Sequence, residues 1–254
     1  MGLPAGTTIA LSPARRLIGD MMHASRGVPL VAVERTCHLG ELVAARQAVS
    51  VRPSWFAIFL KAYAAVARRR EQLRRSFLSF PWKRLHQHNC SVAALAIARR
   101  VGDEECVLPL LLRNPDEKSL AEIDAIIRRA RTESPEKIAD FRRLLQVCRW
   151  PDLARRFLWW LALNVAGKWR AQYAGTFGVS GVAALGSSLL NVICPLTTTL
   201  TYGVFDSKGT LPVRVMFDHR VLDGAYLAQT LEELEQTLRG PILAELRGMK
   251  KLAA

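Results

Sequence analysis

The sequence predicts an α/β fold of the two-layer α+β kind, one sheet covered by helices, on three observations. Segments with strand-like and helix-like spacing are mixed along the whole chain, the pattern of a sheet packed on helices. Half of the 254 residues are hydrophobic and no linker-like stretch divides them, so one large core over residues 1–254 is expected. No internal repeat of solenoid type is present.

The elements follow in order. Ser12-Pro13 is a helix start, and Leu17, Ile18, Met21 and Met22 share a face behind it. Residues 30–33, entered through Pro29, read as a short strand, since proline is tolerated at a strand's first position. Residues 40–47 form a short helix, and Pro53-Ser54 opens a longer one carrying Phe56, Phe59, Leu60, Tyr63 and Val66. That helix runs into Arg68, Arg69, Arg70, Arg74 and Arg75, cations that suit a solvated C-terminus. Apolar runs at 91–98 and 106–112, joined by Gly102-Asp103 and stopped by Asn114-Pro115-Asp116, predict two paired strands. Residues 119–131 set Leu120, Ile123, Ile126 and Ile127 on one side of a helix capped by Ser119.

Residues 135–170 change texture, with Arg142, Arg143, Arg149, Trp150, Arg155, Arg156, Trp159, Trp160, Lys168, Trp169 and Arg170. The apolar heart, residues 157–167, is about half the roughly 20 residues a bilayer span needs. Three uses stay open: helices packed on the core or on another subunit, contact with a membrane interface through 150–170, or the wall of a pocket for a greasy substrate. Strands return at 176–179, 197–205 and 212–217, the last two joined by a turn at Asp206-Ser207-Lys208-Gly209. A helix over 224–238 aligns Leu227, Leu231, Leu234 and Leu238 and completes the pattern.

The formal charge of +14 favours an anionic partner. Nucleic acid is not expected, because no helix-turn-helix, zinc or aromatic-platform pattern accompanies that charge. Cys37, Cys90, Cys106, Cys148 and Cys194 are scattered and odd in number, so reduced, buried thiols are expected rather than a disulfide framework or zinc knuckle. His86 and His88 would share a face only in an extended segment, and no third ligand at matching spacing suggests a metal. Residues 1–11 carry no basic segment followed by a long apolar core, so no secretory signal is read and a cytoplasmic location is the default.

The chemistry concentrates in residues 215–224, VMFDHRVLDG, a strand that ends at a histidine and turns through Asp223-Gly224 into the last helix. Histidine suits general-base work near neutral pH, and a strand end followed by a tight turn fixes its orientation. This segment closely resembles the signature of the acyltransferase cores of 2-oxo acid dehydrogenase complexes and of chloramphenicol acetyltransferase. Ser12-Pro13-Ala14-Arg15-Arg16-Leu17-Ile18 with Met22 resembles that family's opening helix. Ser54-Trp55-Phe56 through Lys61-Ala62 resembles its long helix, and Gly175-Thr176-Phe177-Gly178-Val179-Ser180-Gly181 its glycine-threonine-phenylalanine strand and serine.

The resemblance implies a chloramphenicol acetyltransferase-like mixed sheet with a Trp/Arg-rich helical insertion at about 135–170. It implies His219 as general base, Ser180 as donor to the oxyanion and Asp223, grouped with them at the catalytic site, as a structural partner rather than a proton relay. Asp223 is expected to pair with Arg15, and Gly224 to support the turn. A homotrimer follows from the same resemblance, with His219 and Ser180 supplied by adjacent subunits, and acyl-CoA or an acidic acyl carrier protein as co-substrate rather than a resident cofactor. The sequence shows no lipoyl or subunit-binding segment, so a stand-alone acyltransferase acting on a hydroxyl, amine or thiol is expected. The alternative is a catalytically silent trimeric scaffold of the same fold.

Overall fold

Serine caps set three of the helix starts. The computed structural model describes residues 5–252, so part of the segment read for a leader lies outside the described residues. Ser12 accepts a hydrogen bond from the Arg15 amide and opens α1 (Pro13–Ser25). After α2 (Gly40–Gln47), Ser54 does the same through the Ala57 amide for α3 (Trp55–Arg69). Ahead of α4 (Leu120–Thr132), Ser119 and Glu122 close a reciprocal capping box. The insertion holds α5 (Ala139–Val147), α6 (Asp152–Asn164) and α7 (Gly167–Tyr173), and the chain closes with α8 (Gly224–Thr237) and α9 (Leu243–Leu252).

Six strands form the main sheet: β1 (Leu30–His38), β4 (Val92–Val101), β5 (Glu104–Arg113), β6 (Phe177–Val179), β7 (Thr198–Tyr202) and β8 (Thr210–Asp218). Their order is β1-β8-β7-β6-β4-β5, with β6 parallel to both neighbours and the other pairs antiparallel. The fold is therefore the mixed α/β arrangement expected. The inward face carries Leu95, Ile97, Leu110, Phe177, Leu200, Val215 and Phe217, all buried against α3 and α8. Ten of the fifteen residues of α3 are buried, which makes it the central helix of the core. Each such aliphatic or aromatic side chain contributes roughly 1.5–3 kcal/mol.

Differences from the sequence reading have local causes. β1 extends to His38 because it pairs with β8 from Leu30↔Asp218 to His38↔Thr210, although Glu34, Arg35 and Thr36 carry no strand-like hydrophobic pattern. β7 stops at Tyr202, after which Gly203 packs its backbone against Pro212. A hairpin of two four-residue strands, β2 (Arg75–Leu78) and β3 (Arg84–Gln87), and the helix α9 were not expected. The arginine run after α3 is partly consumed inside the fold: Arg68 pairs with Asp116, while Arg69 and Arg70 clasp Glu233 of α8 at 2.6 and 2.8 Å. Among the described residues no helix is long and apolar enough to cross a membrane.

Candidate active site

His219 sits one residue past β8. The end of that strand is tightly pinned: the His219 amide donates to Pro29 O at 3.0 Å, and the Val221 and Leu222 amides both donate to Asp218 O. Asp218 is fully buried and held by Arg220, Nε to Oδ1 at 2.9 Å and Nη2 to Oδ2 at 2.7 Å, and the guanidinium lies 4.3 Å from the Phe77 ring centre. The backbone that carries the imidazole is thus fixed, while the imidazole is half exposed and rests against Phe217, with ring centres 5.6 Å apart.

Asp223 stands at the first turn of α8 without making a cap hydrogen bond, and its Oδ1 lies 3.6 Å from His219 Nδ1. That separation is electrostatic contact rather than a hydrogen bond. Of the two ring nitrogens, Nδ1 is the one that faces the carboxylate. The helix N-terminus stabilises the carboxylate in turn.

The expected Asp223–Arg15 pair is not formed. Arg15 lies against β5, with Nη2 2.8 Å from Glu104. β5 and β8 are four strands apart in the sheet, about 19 Å at normal strand spacing, so Arg15 cannot reach Asp223. Gly224 is likewise not demanded within one chain, since an added Cβ would meet nothing within 4 Å. Gly175 is demanded: its φ is +92°, and a Cβ there would press on Val92 O at 3.0 Å. It lets the chain leave α7 and enter β6.

Ser180 follows β6, with its amide donating to Leu200 O at 3.0 Å. The register Val179↔Leu200↔Val215 puts Ser180 level with Arg214, five residues and two strands from His219. At ordinary strand dimensions that is roughly 20 Å, with Ser180 level with the middle of β8 and His219 beyond its end. Within one chain the structure brings together His219 and Asp223, and does not bring Ser180 to them.

Residues assigned no role at this site from the sequence lie near it. Arg170 of α7 is buried, donates to Leu163 O and Pro195 O, and so ties the insertion to the segment entering β7. Burial pulls its pKa down to about 10, against the opposing charge of Asp218, and its Nε has no hydrogen-bond partner. Nearby, His88 Nε2 lies 2.9 Å from Ser76 Oγ, and the His86 and His88 rings are 4.8 Å apart. Among the described residues no group of three His, Cys, Asp or Glu could hold a metal. The cysteines are free, with Cys37 and Cys148 buried. Asp218 and Arg220 lay within the segment the sequence singled out, and Arg170, His86 and His88 were noted there without these partners.

No protein-family model matches the chain, and no curated protein matches it in sequence. Solved structures do match. A probable dihydrolipoamide acetyltransferase from Listeria monocytogenes is 19% identical with a TM-score of 0.66, over 92% of this chain and 94% of that one. A dihydrolipoamide acetyltransferase from Azotobacter vinelandii, solved to investigate a serine, a histidine and an asparagine in its catalytic mechanism, is 20% identical with a TM-score of 0.66, over 94% of each chain. A chloramphenicol acetyltransferase is 13% identical with a TM-score of 0.51, over 86% of this chain and 94% of that one.

Proposed function

Starting from a chloramphenicol acetyltransferase-like fold, we propose that this chain is a single acyltransferase domain that moves an acyl group from a thioester to a hydroxyl, amine or thiol. The observation that carries the reading is His219: an accessible imidazole on a rigid strand end, with Nδ1 facing a carboxylate and Nε2 left free. In the Azotobacter enzyme the investigated asparagine follows the histidine by four positions, the spacing of His219 and Asp223 here.

Nε2 removes the proton of the acceptor as its heteroatom attacks the thioester carbonyl, and the carbonyl π electrons move onto oxygen. The oxyanion collapses, the carbon–sulfur bond breaks, and the leaving thiolate takes the proton back from His219. Such a base contributes roughly 10²–10⁴ in rate, and a hydrogen bond from Ser180 to the oxyanion a further 10²–10³. Since Ser180 and His219 of one chain are about 20 Å apart, the complete site needs Ser180 from a second copy. Symmetric assembly, read here as a trimer, supplies it. One solved structure of this fold, 20% identical, is the cubic core of the pyruvate dehydrogenase multienzyme complex. The formal charge of +14 suits CoA phosphates or an acidic carrier protein as donor.

The insertion presents a face to solvent. Leu153, Phe157 and Trp160 are 81%, 59% and 38% exposed along one stripe of α6. The β2–β3 hairpin adds Phe80, 5.3 Å from Trp160 between ring centres, and Trp82. Lys83, next to Trp82 in the chain, and Arg156, next to Phe157, are exposed and form no ion pairs among the described residues, so we read the face as contact with an anionic lipid surface. The sequence had grouped Trp159 with Trp160 and Arg155 with Arg156. Neighbours on a helix diverge by about 100°, and here Trp159 and Arg155 turn inward.

Thiol release from acetyl-CoA and longer acyl-CoAs with a panel of acceptors tests the chemistry. His219→Ala is expected to lower the rate by about 10²-fold or more, and an unchanged rate would remove the assignment. Vesicles containing phosphatidylglycerol are expected to co-sediment the wild type but not Phe157→Glu/Trp160→Glu. Equal sedimentation of the two proteins refutes the lipid face.

A further inference from the structure

The inward flank of α6 leaves a space unfilled. Between α5, α6, α7 and the outward side of β5 lies a cavity of about 490 Å³. Leu111 of β5, Leu144 and Val147 of α5, Leu158 and Trp159 of α6 and Trp169 of α7 form its walls. The gap has a structural cause. The first turn of α5 is tethered to the edge strand by Asp140, which accepts from the Leu111 amide at 3.0 Å, while α6 is anchored elsewhere by Arg155 on Asp20. The volume is in the range of small-molecule sites, and apolar walls with few polar groups are their usual make-up.

The polar side chains at the cavity narrow the ligand. Asp140 is already engaged by β5, and Gln172 and Tyr173 are neutral. Arg143, one turn along α5 from Asp140, is exposed and forms no ion pair among the described residues. An apolar slot with one uncommitted cation suits an amphiphile with an anionic end. We propose that this cavity binds a single alkyl chain of fatty-acyl length, its anionic head paired with Arg143. The occupant is a free fatty acid, since the acyl end of a CoA thioester is neutral and offers Arg143 no charge, so the assignment does not rest on the acyl-transfer reading.

The test uses the full chain titrated with octanoate, decanoate, dodecanoate and tetradecanoate below micelle formation, followed by calorimetry and tryptophan fluorescence. Kd is expected to fall roughly fourfold per added methylene until the cavity is full. Ala162→Trp and Val147→Phe, each checked for native circular dichroism and both filling the cavity, are expected to weaken dodecanoate binding by about tenfold or more. Arg143→Gln is expected to weaken dodecanoate by about five- to tenfold and to leave dodecanol unchanged. Phe157→Glu/Trp160→Glu, which alters only the outward stripe, is expected to bind dodecanoate like the wild type.

Affinity that does not vary with chain length, or filling variants that bind like the wild type, would overturn the proposal. If Ala162→Trp loses dodecanoyl-CoA turnover while dodecanoate binding is unchanged, the cavity takes a thioester's tail and the free-acid assignment is overturned; an unchanged ratio of dodecanoyl-CoA to acetyl-CoA turnover with dodecanoate binding lost supports it. The binding measurement needs no turnover, so a failure of the acyl-transfer reading leaves it interpretable.

Discussion

His88 is 4% exposed beside Ser76, and burial pulls its pKa down to about 4. In the unfolded chain an ordinary histidine takes its proton near pH 6.5. Between those values the unfolded state binds more protons, so stability is expected to fall as pH drops from about 6.5 to about 4, by up to about 3 kcal/mol. Denaturant titrations at pH 7 and 4.5 should show the wild type losing more than His88→Gln; equal losses would remove His88 from the pH dependence. His219 is the contrasting case, half exposed and bonded only through its backbone amide, so His219→Ala is expected to change stability by less than about 0.5 kcal/mol. At this scale the sequence singled out His219 and Asp223, which the structure sets side by side, because both lie in one ten-residue segment. It misplaced Arg15, whose partner is chosen by what α1 packs against and not by anything written near residue 15.

The element that concentrates the unusual features is α6. It presents the exposed stripe Leu153, Phe157 and Trp160, a cavity flank with Leu158 and Trp159, and the nearly sealed Arg155. Arg155 holds Asp20 of α1 through Nε at 2.7 Å and also donates to Trp150 O. Removing one partner of such a pair strands the other charge, so Arg155→Met is expected to cost about 3–5 kcal/mol. Asp20→Leu/Arg155→Met should recover most of that loss in thermal melts, and a double variant as unstable as the single one would contradict the pairing argument. Periodicity showed that the insertion is helical, but two apolar faces and a buried cation on one short helix do not reveal which face meets what. The β2–β3 hairpin escaped for a related reason: Arg84, His86 and Gln87 form a strand only because Arg75 to Leu78 pair with them.

For the molecule as a whole, the sheet register is decisive, because it separates Ser180 from His219 by roughly 20 Å in one chain. Mixing His219→Ala with Ser180→Ala chains through unfolding and refolding is therefore expected to restore activity. About one quarter of the sites in a random mixture pair an intact serine with an intact histidine from the other chain. Activity no higher than the sum of the two separate variants would rule out a shared site. The residues after Ser180 agree with an occupied surface there: Leu185, Leu190 and Ile193 are 82%, 70% and 48% exposed.

Sequence alone determined what depends on neighbours a few positions away. The serine caps, the apolar stripes of α1, α3, α4 and α8, the β4–β5 hairpin and the histidine-to-aspartate spacing are all set by interactions within about a dozen residues. Strand order, the placing of Ser180 far from His219, Arg15 on Glu104, Arg155 on Asp20 and the cavity behind α6 come from the tertiary structure. Those contacts join segments from about 30 to 135 residues apart, and a charge or an apolar face does not encode locally which of several partners the packed chain will bring to it.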